Sequence, residues 1–394
     1  DLSNLGFRGR VLYQPTDKFS VTFAGDLTRQ RPEGYAQVIA GVAPTLRAPN
    51  RQWAAIAADL GYAPPSYNAF DRLTDTDSPW RSYQEFGGAS VTFDWNVGPG
   101  ALTAITAWRF WDWSPSNDRD FTGLDITTVS AAPSTQRQWT QELRYAGDLS
   151  SSLSFVVGAF GFRQTLNADP SHVQEQGGFA AQRYLLNPST PGWDTPGLLD
   201  GYGQNVTIDY ANLSAAVFGQ LQWTVTDRLR LLPGVRFNYD EKDAFYDSQV
   251  YGGLDTADPA LIALKRSVLS PQTYAAQVDD ANVSWQATAV SDAVNFYATY
   301  ATSFKSVGLN LSGAPNNASG QPALDAATVK PEDVRHIEVG FKTTPFSGAV
   351  ANVSFFDTVI DDFQTEVVNA QVGVLRGYLA NAEKARVRGG EVDG

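Results

Sequence analysis

Residues Asn295–Asn310 read Asn-Phe-Tyr-Ala-Thr-Tyr-Ala-Thr-Ser-Phe-Lys-Ser-Val-Gly-Leu-Asn. Taken by twos from one residue earlier, one face holds Val294, Phe296, Ala298, Tyr300, Thr302 and Phe304. The other holds Asn295, Tyr297, Thr299, Ala301, Ser303 and Lys305. Successive side chains of a strand point to opposite faces, so the stretch predicts a ribbon with one apolar and one polar side. It is far longer than the usual strand of about 5–6 residues. Such a strand, aromatic on one side and hydrophilic on the other, suits a wall between lipid and water.

The same alternation recurs along the chain. Val217, Leu221, Trp223 and Val225 oppose Gln220, Gln222 and Thr224. Leu229, Leu231, Val235, Phe237 and Tyr239 oppose Arg230, Arg236, Asn238 and Asp240. Ile337, Val339 and Phe341 oppose His336, Glu338 and Lys342. A charge facing lipid at mid-bilayer costs roughly 2–4 kcal/mol, so confinement of charge to one parity is informative. The pattern slips at Phe355-Phe356, and no register is assigned beyond it.

Taken in order, the β-like runs fall into hairpins. Leu5–Gln14 and Lys18–Leu27 join at Pro15-Thr16-Asp17, and Ser82–Val97 and Ala101–Trp113 at Gly98-Pro99-Gly100. Thr135–Ala146 and Leu153–Leu166 turn around Asp148–Ser151, and Ala211–Val225 and Leu229–Tyr246 at Thr226-Asp227-Arg228. Gln277–Val290 and Ala293–Leu311 turn at Ser291-Asp292, and Val329–Thr344 and Ala349–Val367 at Pro345–Gly348. A last run, Val374–Val392, has no partner after it. Between hairpins lie the long stretches Thr28–Trp80, Ser114–Ser134, Asn167–Asn205, Asp247–Ala276 and Ser312–Ala327, with a short helix predicted at Gln52–Leu60. Short turns therefore alternate with long loops, which is the connectivity of an outer-membrane barrel, with short periplasmic turns and long extracellular loops. A sandwich or propeller has no reason to sort loop length by parity. The fold expected is all-β, an antiparallel transmembrane β-barrel. The runs number about thirteen, an odd count that does not close a bacterial barrel, so part of a larger barrel is expected.

Composition agrees. The 394 residues are 43% hydrophobic and only 18% charged, and mean hydropathy is −0.25. No apolar run approaches the roughly 18 residues of a transmembrane helix, and a barrel hides from such averages because its strands alternate. Aromatic residues make up 12%, which fits interfacial girdles. Net charge is −13, which argues against a phosphate-backbone binder and hence against nucleic acid as a partner. Cys is 0, so no disulfide framework or thiolate metal site exists. There is no Met and no signal peptide, and a segment that starts after processing or inside a longer protein is expected.

Several runs resemble the TonB-dependent receptors of Gram-negative outer membranes. They are Thr140-Gln141-Glu142-Leu143-Arg144 with its returning partner Phe155–Phe160, the Gly-x-Arg strand at Gly234-Val235-Arg236-Phe237, and Tyr300–Asn310, which ends its aromatic strand in Phe-Lys. Lys330-Pro331-Glu332, Glu338–Lys342, Asp361-Asp362-Phe363-Gln364 and Asn381–Glu391 follow in the family's order, and Ile105–Asp125 fits it too. The resemblance spans Gly6–Gly394, and residues 1–394 are read as one partial barrel domain. It implies a barrel of about 22 strands around a plugged lumen. It also implies an N-terminal plug with an energy-coupling box and final strands, none of which is among these residues. The function implied is binding and import of a scarce nutrient, a ferric siderophore first and vitamin B12 or an oligosaccharide second, driven by a TonB-type complex acting through the plug. The location implied is the outer membrane, with its lipid as the surrounding partner. Two other readings are carried: a soluble secreted β protein that binds or cleaves polysaccharide, and a passive porin. The soluble reading predicts an inward apolar face and a polar exterior.

No catalytic constellation stands out, no resident cofactor is expected, and the chain is not read as an enzyme. The two His are His172, in a long loop, and His336, on a polar strand face. The run Asn117-Asp118-Arg119-Asp120 offers oxygen ligands for calcium, against a plain solvated loop. Asp361-Asp362 reads as a polar strand end rather than an acid/base pair. Among Trp108, Trp111 and Trp113, alternation sends Trp108 to the lipid girdle and the other two to the lumen mouth with Arg109. There Trp111 and Trp113 could stack on a sugar ring or an aromatic ligand. Arg109, Arg144, Arg236 and Lys305 fall on polar faces, where they could hold an anionic ligand, contact the plug or serve as solvated lumen charge.

Overall fold

The computed structural model describes residues 2–33, 37–168, 173–291, 295–314, 322–344, 346, 348–369 and 376–394. Val294, Asp292 of the predicted turn, His172, two positions of the Pro345–Gly348 turn and the start of the last run lie outside the described residues. The strands in chain order are β1 (Leu2–Thr16), β2 (Phe19–Pro32), β3 (Arg81–Val97), β4 (Gly100–Ser116), β5 (Thr127–Ala131) and β6 (Ser134–Ser150). Next come β7 (Leu153–Ala168), β8 (Val173–Gly177), β9 (Asp200–Thr226), β10 (Leu229–Tyr251), β11 (Gln272–Ser291) and β12 (Phe296–Lys305). The last are β13 (Gly308–Leu309), β14 (Thr328–Val329), β15 (Glu332–Thr343), β16 (Ala351–Asn369) and β17 (Arg376–Asp393). Among the described residues three α-helices, α1 (Trp53–Asp59), α2 (Gly178–Leu185) and α3 (Pro259–Val268), lie in the long connections.

Fifteen of the strands form one antiparallel sheet. Short β5 and β8 bridge the ends of β4 and β9, and the other thirteen pair in sequence order as a continuous wall. Among the described residues β1 pairs only with β2 and β17 only with β16, so the wall has two open edges. Four of the turns at one end are two residues long, and every connection at the other end of the wall but β16–β17 carries long segments. Among the described residues no helix is long and apolar enough to cross a membrane, which says nothing about crossing by strands.

The predicted strands are all present, but their bounds differ. The strand expected over Ala293–Leu311 is the shorter β12, Phe296–Lys305, because the chain leaves the wall after Lys305, whereas several other strands run on into the expected loops. β9 begins at Asp200 rather than Ala211, β10 runs on to Tyr251, and β11 begins at Gln272 rather than Gln277. At about 3.3 Å per residue, 27-residue β9 is about two and a half to three times the length of the roughly 9–11 residues needed to cross a bilayer. The extra length pairs strand to strand above the apolar band, where neither face demands alternation of the kind that reveals a membrane strand. Helices α2 and α3 were also missed. The helix read at Gln52–Leu60 is α1.

Register carries the parity argument across the whole wall. Phe296 lies opposite Phe341, which lies opposite Val353, and Val235 lies opposite Trp285. These residues share one face with Phe23, Phe93, Trp139, Leu143, Val157, Val217 and Phe237, and that face is exposed. A soluble monomer rarely exposes so large an apolar band. A rim of charge borders the band toward the long-loop end, with Arg29 paired to Glu85, Arg137 to Asp112 and Arg335 to Asp361. On β10 the outward apolar positions run from Leu229 to Tyr239 before Glu241, about the length a membrane strand requires.

The slip read at Phe355-Phe356 does not occur. Phe355 stands on the apolar face beside Val339, and Phe356 on the polar face beside Glu338. Both rings fit because β17 places Gly390 and Gly389 opposite them. A Cβ on Gly389 would come within 2.6 Å of the Phe356 ring.

Two small cores sit at the long-loop end. One gathers Ala181, Leu186, Leu198, Leu199, Tyr202, Val268 and Leu269, and so packs α2 and α3 together. The other gathers Val206, Tyr246, Tyr274, Ala314 and Ala327, so Ala314 and Ala327 of the connection after β12 pack against the inner face of β9–β11. Loops thus cover the polar face while the apolar face stays bare. The polar face is the inside of the wall, which is the reverse of what a soluble β protein requires.

Candidate functional site

Strand β4 carries the inner-wall feature with the most chemistry. Its inward side chains include Arg109, Trp111 and Trp113, and its outward ones include Trp108 and Phe110. The parity assignment of all three tryptophans therefore holds. Trp108 stacks on Phe110 at 5.3 Å and lies 6.3 Å from Trp139, an outward aromatic cluster. On the inside, the Trp111 and Trp113 rings stack at 5.3 Å and 16°. Trp111 Nε1 donates to Gln84 Oε1 at 3.0 Å, and Trp113 Nε1 to Ser82 Oγ at 2.9 Å. Each indole is thus held at its polar end by β3, which leaves ring surface for other contacts.

Neutral amides lie beside Trp111. Gln84, Gln136, Gln138 and Gln164, with Phe86, Arg109, Phe110 and Trp111, line a hollow of about 550 Å³. Trp113 borders a neighbouring hollow that also meets Arg29, Glu85 and Asp112. Gln164 donates to Gln136 and Gln84 to Gln30 across neighbouring strands. Arg109 is clamped to Asp26 by two hydrogen bonds, one from each terminal nitrogen, which pairs the guanidinium with a carboxylate. The clamp crosses β3 at Gly88, where a Cβ would come within 2.7 Å of the arginine Cδ. Only glycine leaves the guanidinium its path to Asp26.

The remaining predicted ligand residues stand elsewhere. Arg144 is on the inner face of β6 beside Glu142 at 3.6 Å. Arg236 on β10 donates to Asn238 and lies over the Phe160 and Phe218 rings at 5.8 and 5.4 Å. Lys305 closes β12 and pairs with Glu332 at 3.2 Å. With strands about 4.8 Å apart, the six strand intervals from β4 to β12 place Lys305 on the order of 30 Å from Trp111 along the wall. The six residues thus share a face but not one site; Arg109, Trp111 and Trp113 form a group, and the other three each have local partners.

The runs that carry the family resemblance converge on a different feature, a clamp at the loop end of β12–β17. Glu332, buried, accepts from Lys305 and from the Gln364 backbone N–H. The Gln364 side-chain amide donates to the carbonyls of Ser306 and Lys330. Asn310 takes both backbone groups of Leu379, and Asn381 does the same for Lys330. Lys-Pro-Glu, Asp-Asp-Phe-Gln and the two asparagine positions are therefore one structure that ties a loop to three strands. Sequence reading found the residues but not their common purpose, because they lie up to 76 positions apart, from Lys305 to Asn381.

In the Asn117–Asp120 run Asn117 and Arg119 are exposed, while the two aspartates turn inward and serve the loop's own backbone. Asp118 is fully buried and accepts backbone N–H bonds from Asp77, Asp120 and Phe121. Asp120 accepts from Thr122 and Thr127. Burial pushes the carboxyls of Asp77 and Asp120 up to about 6, and the Asp118 carboxylate adds to both. Among the described residues no group of three or more His, Asp or Glu is placed to hold a metal ion.

The family model described as TonB dependent receptor-like, beta-barrel, matches residues 28–394. A search of curated proteins found no match by sequence. Among solved structures, the ferric yersiniabactin uptake receptor FyuA of Yersinia pestis superposes with a TM-score of 0.61 at 18% identity, covering 99% of this chain and 48% of the receptor. The copper transporter OprC gives 0.63 at 14% identity, over 99% and 50%. The ferripyoverdine receptor of Pseudomonas aeruginosa gives 0.57 at 13%, over 99% and 46%. The chain thus spans about half the length of these receptors, and the likeness is one of fold.

Proposed function

The chain belongs to the TonB-dependent receptor family, as part of its β-barrel, and from that premise we propose that it is the wall of an outer-membrane receptor that captures a scarce nutrient and imports it. Transport draws energy from a TonB-type complex acting through a plug. The cargo is a small molecule, with a ferric siderophore first in line. The observation that carries this reading is the thirteen-strand wall, apolar outside and polar inside, with its long connections at one end. Receptors for ferric yersiniabactin and ferripyoverdine among the fold relatives support the siderophore assignment, and a copper transporter among them keeps other metals in view. Cargo entering at the long-loop end passes the Trp111–Trp113 stack on its way down the wall. The iron is cargo and not a resident cofactor, and the protein acts in transport rather than catalysis.

The test is growth of a deletion strain on single iron sources, with uptake of labelled ferric siderophore measured before and after collapse of the inner-membrane proton gradient. Uptake is expected to require both the gene and the gradient. Gradient-independent passage of the cargo would mean a passive porin instead.

A further inference from the structure

The hollow beside Trp111 has a chemistry of its own. Its hydrogen-bonding groups are amides, each with donors and an acceptor and no charge. Its one cation, Arg109, is bound at both terminal nitrogens by Asp26. A multiply anionic guest would give up water for a wall that offers it no uncommitted positive charge, which is unfavourable. A guest with an apolar ring face and a rim of hydroxyls matches both parts of the wall. Its face lies on the Trp111 indole, and its hydroxyls meet glutamine amides on β3, β6 and β7. The volume of about 550 Å³ is within the range of small-ligand sites.

We propose that Trp111, backed by its stack on Trp113, and the glutamines around it form a subsite for an uncharged, hydroxyl-bearing ring, a glycosyl unit. This deepens the receptor reading, on which it rests, by naming what the cargo presents to this wall. Indole stacking supplies the apolar contact. Gln138 and Gln164 read the hydroxyls. Arg109 and Asp26 neutralise one another and make the patch selective against charge. A glycosyl unit can arrive as a free oligosaccharide or as a sugar attached to a metal carrier, and the experiment separates the two.

The full-length receptor in detergent is titrated with cellotriose, maltotriose and xylotriose, and with a ferric tris-catecholate in glucosylated and unglucosylated forms. Binding is followed by tryptophan fluorescence and calorimetry. At least one glycosylated probe is expected to bind. Trp111→Ala is expected to weaken that probe about tenfold, the scale of one aromatic contact, and Trp111→Phe to recover most of the loss. A trisaccharide response assigns the free sugar, and a response confined to the glucosylated chelate assigns the carrier. The proposal is overturned if no glycosylated probe binds, if Trp111→Ala binds as wild type does, or if loss falls equally on the unglucosylated chelate. Folding of each variant is checked by its heat-modifiable gel mobility. Should Trp111→Ala not fold, Gln138→Ala decides in its place: weaker binding of the glycosylated probe supports the subsite, and unchanged binding overturns it. Failure here with gradient-dependent uptake intact removes the subsite and leaves the receptor reading standing. Sugar binding without such uptake does the reverse.

Discussion

At the scale of single residues, position on the sheet decides what a side chain can be. Val235 faces outward beside Trp285, and Gln220 faces inward at a similar depth, near Gly234. Val235→Arg is expected to destabilise the folded barrel by roughly 2–4 kcal/mol, read from urea unfolding in phospholipid vesicles. Gln220→Arg, with water on its side of the wall, is expected to change stability by only about 0.5 kcal/mol. Equal costs would mean that the two faces are wrongly assigned. Glu332 makes a different case. Its carboxylate is buried and serves two donors, one of them the Gln364 backbone N–H. Glu332→Ala leaves that N–H without an acceptor, a loss of about 1–3 kcal/mol. Faster hydrogen exchange at the Gln364 amide is the specific sign, and unchanged protection there would dismiss the clamp.

At the scale of elements, two features invite measurement. The paired rings of β16 need the paired glycines of β17. Gly389→Val would press on Phe356 and cost about 1–3 kcal/mol through overpacking, with the largest effect on protection of these two strands. An equally stable variant would show that the strands can shift apart without penalty. The segment around Asp118 responds to pH. Its neighbours Asp77 and Asp120 have carboxyls raised to about 6 by burial. A raised carboxyl favours the protonated form in the folded loop, so the stabilisation is complete below the ordinary carboxylate range and is lost as pH rises through about 6. Protection of residues 117–127, corrected for intrinsic exchange, should therefore be higher at pH 5 than at pH 8. Protection that grows with pH would contradict this.

For the whole molecule, the question is how the long connections hold together above the wall. Arg183 on α2 is buried and reaches Asp59 at the end of α1 and the carbonyl of Asn50, while Arg51 donates back to the Leu185 carbonyl. Two connections far apart in sequence are thus latched. Asp59→Asn removes the charge partner of a buried guanidinium and should loosen residues 37–80 from α2. Limited proteolysis of the intact protein would show faster cutting within 37–80, and an unaltered pattern would mean that packing alone suffices. The latch also brings loop mass over the same end of the wall as the Trp111–Trp113 stack.

Much of the architecture was legible in the chain itself. Period-two alternation, such as that in Asn295–Asn310, needs only local geometry, because one face must meet lipid and the other water. The alternation of short turns and long connections then made a barrel wall of thirteen staves, and the faces of Trp108, Trp111 and Trp113 followed from parity. What parity could not supply was anything that depends on neighbours across strands. The continuity of register through Phe355-Phe356 waits on Gly389 and Gly390 in the next strand. The length of β9 and β10 above the membrane waits on pairing partners rather than on hydrophobic pattern. The commitment of Arg109 to Asp26, 83 residues earlier, and of Lys305 to Glu332 became visible only when the strands stood side by side. Local sequence determined which face each residue takes; tertiary structure decided whom it meets there, because cross-strand contacts join residues whose separation along the chain carries no signal.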